Sequence, residues 1–277
     1  MGDVMVDVSV HAGALATGGD VHGEVRVRPG GAGANAAVWA AREGAHVRLY
    51  GRVGGDLTGR LLAEELARRG VDARLAVDAE ARTGAMLVVH QAAERSMVAD
   101  RGANGNLAHG DLPERLEAGA VLLSGYLLFH PGSEEAARAA LDRARAALIA
   151  VDAASWPLLA RYGVGRFYEA TVSANVLLAN QDEAKILEGG AEEPRDHFPY
   201  VCRKLGVLGA DLRSPEGTAG FDGPPLAEPV DPTGAGDAFD GVFLTALAGG
   251  ASHEEALRRA CEAGRAVAMS PHIWPED

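Results

Sequence analysis

Buried strands and amphipathic helices alternate through the middle of this chain, and this alternation constrains the fold more than any other feature. Residues 121–124 and 147–152 have the apolar composition of buried strands, and the segment 133–145 between them has the spacing of an amphipathic helix. Strands connected by helices lie parallel in one sheet, with the helices packed on its faces. The 277 residues, 47% of them hydrophobic, suffice for one such core. We therefore predict a single α/β domain over residues 1–277 with a mostly parallel central sheet.

The carboxyl ends of these strands are the place to look for a ligand site, because ligands of parallel sheets bind beyond that edge. Asp152 and the turn at 124–126 fall there. Asp152 fits a cap of the following helix at least as well as a catalytic role, so the sequence leaves both interpretations open.

Charge and composition exclude several classes of protein. The net charge of −13 argues against a nucleic-acid partner, which would need clustered Lys and Arg, but a nucleotide triphosphate stays compatible because helix N-termini and Mg²⁺ supply local positive potential. Two distant cysteines, Cys202 and Cys261, are typical of a reduced cytosolic protein and provide no metal-ligand cluster. No run of about 18 apolar residues and no signal-like N-terminal pattern occurs, so we expect a cytoplasmic protein without a membrane partner.

A glycine-rich turn near the C-terminus leads directly into a helical pattern. Gly234 and Gly236 permit a sharp bend, and the apolar positions from Phe239 onwards have helical spacing. The free amides and positive dipole of such a helix start form a site for a phosphoryl group or another oxyanion. Asp237 is unsuited to binding an anion, and we interpret it as the acceptor of a proton from an attacking hydroxyl. From spacing alone, a tight turn and an acid that complements the helix dipole explain the same residues equally well.

The stretch at 231–237 resembles the C-terminal signature of the ribokinase-like (PfkB) family of carbohydrate and nucleoside kinases, whose usual form is Asp-Thr-Thr-Gly-Ala-Gly-Asp. The resemblance implies that Asp237 is the catalytic base and that Gly234, Ala235 and Gly236 form the anion hole. It also implies a three-layer α/β/α fold with a small β-sheet lid. Pro232 departs from the usual pattern, and we expect it to affect the loop more than the chemistry.

A second glycine-rich stretch, near the N-terminus, resembles the family's other signature, Gly-Gly-x-x-x-Asn. The resemblance implies that Gly30, Gly31 and Asn35 contact the phosphate acceptor. Residues 31–36 also match the dinucleotide fingerprint G-x-G-x-x-A, but they do not follow the first strand directly and no acid ends the next strand. We therefore favour the kinase interpretation. Ribokinase proper commonly has Lys at the position of Ala32, which argues against a strict ribokinase assignment.

Strand-like segments at about 8–30 and 83–100 are predicted to form a small sheet separate from the core. The resemblance implies that this sheet is a lid over the sugar, and in some members of the family it is also a dimer surface, so a homodimer through the lid is compatible with the sequence. The resemblance implies that Asp7, near the end of the first strand, binds sugar hydroxyls, although a solvated strand end explains it as well. It places Asn104 on a segment that returns from the lid towards the sugar.

Two further motifs concern the nucleotide. Asn180 and Glu183 are ordinary residues for a helix start, where Asn caps and Glu complements the dipole. Their spacing resembles the family's Asn-x-x-Glu motif, which implies that Glu183 organises Mg²⁺ through water and that Asn180 lies beside the nucleotide phosphates. Lys204, Gly206 and Gly209 resemble the turn that passes the nucleotide in the family.

The sequence thus predicts a ribokinase-like enzyme that uses ATP and Mg²⁺ to phosphorylate a hydroxyl of a small sugar or nucleoside. No Walker A sequence is present, which argues against a P-loop kinase. A catalytically silent sugar-binding or regulatory protein on the same fold is the main alternative, and an NAD(P)-dependent oxidoreductase is a weaker one. Some members of the family bind a monovalent cation near the loop at 231, but residues 270–277 depart from the usual pattern in this region. The sequence does not select among ribose, fructose, a keto-deoxy sugar and a nucleoside.

Overall fold

The computed structural model describes residues 1–13, 16–91, 94–190, 192–224 and 231–275. Its helices are α1 Ala32–Arg42, α2 Leu57–Arg68, α3 Pro131–Arg143, α4 Trp156–Tyr162, α5 Val164–Ala170, α6 Gln181–Glu188, α7 Pro194–His197, α8 Ala235–Ala248 and α9 His253–Ala268. Its strands are β1 Met5–Ala12, β2 Glu24–Gly30, β3 Val47–Gly54, β4 Val71–Asp78, β5 Gly84–Gln91, β6 Glu94–Asp100, β7 Leu116–Glu117, β8 Ala120–Ser124, β9 Ala144–Arg145, β10 Leu148–Asp152, β11 Val176–Asn180, β12 Tyr200–Lys204, β13 Gly209–Ser214 and β14 Gly217–Asp222.

The largest sheet has six strands in the order β14-β13-β12-β11-β10-β8. Strands β8, β10, β11 and β12 are parallel, and β13 and β14 extend the sheet as antiparallel strands. The register pairs Asp152 with Ser124 and Asn180 with Lys204, so these four polar residues end neighbouring strands at one edge. Asp152 and Ser124 therefore lie at the carboxyl edge of the parallel sheet, where the sequence predicted them.

Helices cover both faces of this sheet, because alternate residues of its strands point in opposite directions. Val151 and Leu177 pack with helices α3 to α6, whereas Ala150 and Leu178 pack with α8 and α9. The resulting three layers confirm the predicted α/β/α architecture. None of the described helices is long and apolar enough to cross a membrane.

The first residues of the chain connect this sheet to a second parallel pair, β3 and β4. The Met1 amino group donates to the Leu122 carbonyl at 2.6 Å, the Ser124 amide donates to the Met1 carbonyl at 3.0 Å, and the Gly2 amide donates to the Tyr50 carbonyl at 3.4 Å. Beside these contacts is a cleft of about 880 Å³ between residues 45–50 and 116–122. The interior of the molecule thus has a gap between β3 and β8.

A separate four-stranded sheet, in the order β2-β1-β5-β6, forms the predicted lid. Strands β1 and β5 are parallel and the other pairs are antiparallel. Val27, Val8, Leu87 and Val98 lie in one row across the four strands, and Val27 and Val98 are mostly exposed. One side of the lid is therefore apolar and solvent-facing.

Candidate active site

The start of α8 has the form that the glycine-rich turn predicts. Gly234 adopts a left-handed conformation, with φ of 80°, immediately before the first helical residue, Ala235. The first bond within the helix runs from the Ala238 amide to the Gly234 carbonyl, so the preceding amides have no partner inside the helix. Ala235 donates instead to the Pro232 carbonyl at 3.1 Å. The amides of Gly236 and Asp237 are consequently the better placed donors for an anion, and Ala235 is the weaker part of the predicted anion hole.

Asp237 lies in the first turn of α8, and its carboxyl group is held by a residue more than 200 positions earlier. The Asn35 Nδ2 atom donates to Asp237 Oδ2 at 2.8 Å. Burial raises the pKa of Asp237 to about 7, and the charge of Asp152 adds to the shift while the Asn35 hydrogen bond opposes it. A carboxyl group with this pKa exchanges a proton readily near neutral pH, which suits a general base.

The packing of α1 against α8 explains why the two sequence signatures meet. A Cβ atom on Gly241 would overlap the Ala36 carbonyl oxygen, so the backbones of the two helices are in direct contact at this glycine. Gly31, with φ of 97°, turns the chain from β2 into α1 and leaves Asn35 near the start of that helix. The predicted acceptor-binding residues and the predicted base therefore share one site.

Asp7 is on the inner side of the lid, at the mouth of this site. Its carboxylate lies so close to Gly30 that a Cβ atom there would overlap it. Burial raises the pKa of Asp7 to about 7, the charge of Asp231 raises it further, and Arg28 across the strand pair lowers it. The lid thus contributes a buried carboxyl group whose charge acts on Asp237.

A buried lysine occupies the floor of the site. Lys204 Nζ lies 2.8 Å from Asp152 Oδ1 and 3.0 Å from Asp240 Oδ1, close to the first turn of α8. Burial alone would lower the pKa of Lys204, but the two carboxylates outweigh it and raise the pKa well above its usual value. Lys204 was predicted beside the nucleotide; its ammonium group forms ion pairs with Asp152 and Asp240 near the first turn of α8, and the nucleotide contact stays a prediction. Asp240 was not predicted from the sequence as a site residue. Its spacing of three residues from Asp237 places the two carboxyl groups on the same side of α8.

Glu183 forms the helix cap that the sequence left as an alternative. Its Oε2 accepts from the Asn180 amide at 2.8 Å and its Oε1 accepts from Asn180 Nδ2 at 2.6 Å. Burial raises the pKa of Glu183 to about 7, Asp152 raises it further, and Lys204 opposes the shift. Within the described residues, no cluster of three or more His, Cys, Asp or Glu side chains is arranged to hold a metal ion directly.

The remaining predicted site residues divide into two groups. Asn104 is fully buried, and its amide accepts from the Val4 amide at 2.8 Å and donates to the carbonyls of Val4 and Arg101. These hydrogen bonds give Asn104 a structural role at the backbone, and its sugar contact stays a prediction. Gly206 and Gly209 lie with φ of 62° and 106° in the turn between β12 and β13, at the predicted nucleotide edge.

Comparison with known proteins agrees with this geometry. Residues 1–272 match the family described as pfkB family carbohydrate kinase. A ribokinase from Arabidopsis thaliana is 30% identical over 258 residues, which are 84% of this chain and 65% of that protein. The chain therefore belongs to the pfkB family of carbohydrate kinases, and its class is that of a kinase, a phosphotransferase.

Solved structures show the same fold. The adenosine kinase from Sinorhizobium meliloti superposes with a TM-score of 0.87 at 21% sequence identity. The superposition covers 99% of this chain and 94% of the adenosine kinase chain. An uncharacterized sugar kinase from Pyrococcus horikoshii, solved in complex with ATP, has a TM-score of 0.82 at 25% identity and covers 99% of this chain and 92% of its own. The ribokinase-like fold with its lid sheet is thereby confirmed.

Proposed function

We propose that this protein transfers the γ-phosphoryl group of ATP to a hydroxyl group of a small sugar or nucleoside. The observation that carries the proposal is the Asp237 carboxyl group, buried at the start of α8 beside free first-turn amides and held by Asn35. The ATP complex of the Pyrococcus horikoshii relative supports the choice of phosphoryl donor.

The transfer needs a base and a site for negative charge, and the start of α8 supplies both. Asp237 accepts the proton of the acceptor hydroxyl. The hydroxyl oxygen bonds to the γ-phosphorus while the bond from that phosphorus to the leaving ADP oxygen breaks. The amides of Gly236 and Asp237 donate to the oxygens of the transferring group. Asp7, Gly30 and Gly31 would orient the acceptor below the lid, where the Asp7 carboxyl group can bind a hydroxyl of a sugar ring.

The carboxylates at the sheet edge suit a hard divalent cation. Asp152 lies close enough to Glu183 to raise the pKa of that carboxyl group, and oxygen donors are the ligands that Mg²⁺ prefers, often through water. Mg²⁺ bound there would neutralise the charge of the leaving diphosphate. Asn180, Gly206 and Gly209 would line the nucleotide side of the same edge.

Two accompanying predictions concern further partners. A homodimer through the lid is supported by the apolar outward row that contains Val27 and Val98. A monovalent cation near Asp231 is compatible with the fold, since the Asp231 amide ties its loop to the end of α9 through the Ala268 carbonyl. Gel filtration tests the homodimer. A comparison of turnover in potassium and in sodium tests the monovalent-cation site.

The decisive experiment is ATP consumption with Mg²⁺ against a panel of pentoses, hexoses, keto-deoxy sugars and nucleosides. We expect turnover with one acceptor class, and a kcat/KM that rises as the pH increases through about 7, because Asp237 is active when ionised. Asp237→Asn should retain ATP binding and lose roughly 10³-fold in kcat. Asp142→Asn makes the same chemical change at an exposed position of α3 and should be neutral.

The outcomes separate the remaining candidates. Near-normal turnover of Asp237→Asn would eliminate the base assignment. Detectable sugar or nucleoside binding without turnover would favour the catalytically silent protein. Protection by NAD(P) in place of ATP would favour an oxidoreductase, which family membership already argues against.

A further inference from the structure

The segment after α9 returns to the active site and contacts the residue that holds the base. Trp274 Nε1 donates to Asn35 Oδ1 at 2.7 Å, and Trp39 Nε1 donates to the Ile273 carbonyl at 2.9 Å. Both Ile273 and Trp274 are buried against α1 and α2, and Ile273 lies against Gly234 at the start of α8. An indole, an amide and the Asp237 carboxyl group thus form one hydrogen-bonded chain.

The direction of this chain is fixed by the chemistry of the indole. An indole N–H can donate but cannot accept a hydrogen bond, so Asn35 must turn its oxygen towards Trp274. The NH₂ group of Asn35 then faces Asp237 and donates to it, which favours the ionised carboxylate. If the amide rotated by half a turn, its oxygen would face Asp237 and would favour the protonated acid instead.

We propose that Trp274 is a positioning residue for the phosphoryl transfer, which fixes the orientation of the Asn35 amide and so keeps Asp237 in its proton-accepting form. The inference rests on the proposed function only where turnover is measured. Other groups that act on Asp237 are Asp7 from the lid, Tyr126 from the turn after β8, Asp152 from β10, Lys204 from β12 and Asp240 from α8. Trp274 acts on Asp237 through the orientation of the Asn35 amide, to whose oxygen its indole donates.

The test is the pH profile of Trp274→Phe, which removes the N–H donor and retains an aromatic ring in the same apolar cluster. We expect the acidic limb of kcat/KM to move upward by about one pH unit, so that activity falls about tenfold at pH 6 and is nearly unchanged above pH 9. The matched control is Trp156→Phe, the same change at a half-exposed position of α4, whose profile should overlie that of the parent protein. An unshifted limb, or an equal loss at every pH, would overturn the proposal.

A second measurement does not depend on turnover. In a Trp156→Phe background, the emission of Trp274 should change as Asp237 ionises near pH 7, and this step should disappear when Asp237→Asn is added. Trp39 contributes a constant signal because its indole donates to a backbone carbonyl. A fluorescence step that depends on Asp237, without turnover of any acceptor, would reject the proposed function and with it a role in transfer, and would retain only the coupling of Trp274 to Asp237 through Asn35. Turnover without such a step would reject the positioning role alone.

Discussion

At the residue scale, the least expected feature is the ammonium group of Lys204, which lies largely buried among the carboxyl groups of the site. Lys204 pairs directly with Asp152 and Asp240, and its charge also opposes the raised pKa values of Glu183 and Asp237. Buried charges are tolerated only when they are paired, so removing the cation would leave two carboxylates without compensation. Lys204 therefore keeps the acidic floor of the site compatible with a folded protein and with an approaching triphosphate.

Substituting Lys204 should for this reason be strongly destabilising. We expect Lys204→Met to lower the free energy of unfolding by about 3 kcal/mol in urea titrations, because Asp152 and Asp240 lose their shared partner. Adding Asp240→Asn should recover part of the loss. Lys185→Met breaks an exposed pair with Asp182 and should change stability by less than about 0.5 kcal/mol. Equal effects of the two lysine substitutions would contradict this account.

At the element scale, the contact between α1 and α8 sets the distance between Asn35 and Asp237. Both helices begin at left-handed glycines, Gly31 and Gly234, and their backbones touch at Gly241. Any side chain at Gly241 would push the helices apart. The separation of the proposed acceptor-binding start of α1 from Asp237, the proposed base on α8, thus depends on the absence of a Cβ atom at Gly241.

Gly241→Ala tests this dependence. The added methyl group overlaps the Ala36 carbonyl, a backbone atom that cannot move without its helix, so we expect a loss of about 1–3 kcal/mol in stability and at least a tenfold loss in kcat. Gly165→Ala on α5 adds the same atom where no neighbour is within reach and should be neutral or slightly stabilising. Normal kcat in Gly241→Ala, measured with a fully folded sample, would show that the helix contact does not position the base.

At the scale of the whole molecule, the gap between β3 and β8 is the main irregularity. Met1 bonds to Leu122 and Ser124 of β8 and Gly2 bonds to Tyr50 of β3, and beside these contacts residues of both strands line the cleft of about 880 Å³. Burial lowers the pKa of the Met1 amino group to about 5, so a group that is normally charged is held neutral there. The central sheet and the β3–β4 pair are therefore joined here by backbone bonds of the first two residues, beside an open cleft.

The sequence predicted those features that depend on local chemistry and order along the chain. Alternation of apolar strands and amphipathic helices predicted the layered sheet, and the glycines before Phe239 predicted the bend that leads into α8. The two glycine signatures also indicated the family, which the comparison confirmed. These inferences succeeded because periodicity, helix starts and turn conformations are encoded by neighbouring residues.

Tertiary structure alone decided how the charged groups pair. Asn104 became a backbone clamp, Lys204 joined Asp152 and Asp240, and Trp274 reached Asn35 across 239 positions. Each of these contacts depends on where separate elements meet, and a polar residue in the sequence does not indicate which partner will approach it. The fold and the proposal of Asp237 as the base therefore follow from the sequence and its family signatures, whereas the electrostatic setting of Asp237 depends on burial and on contacts that exist only after the helices and sheets have packed.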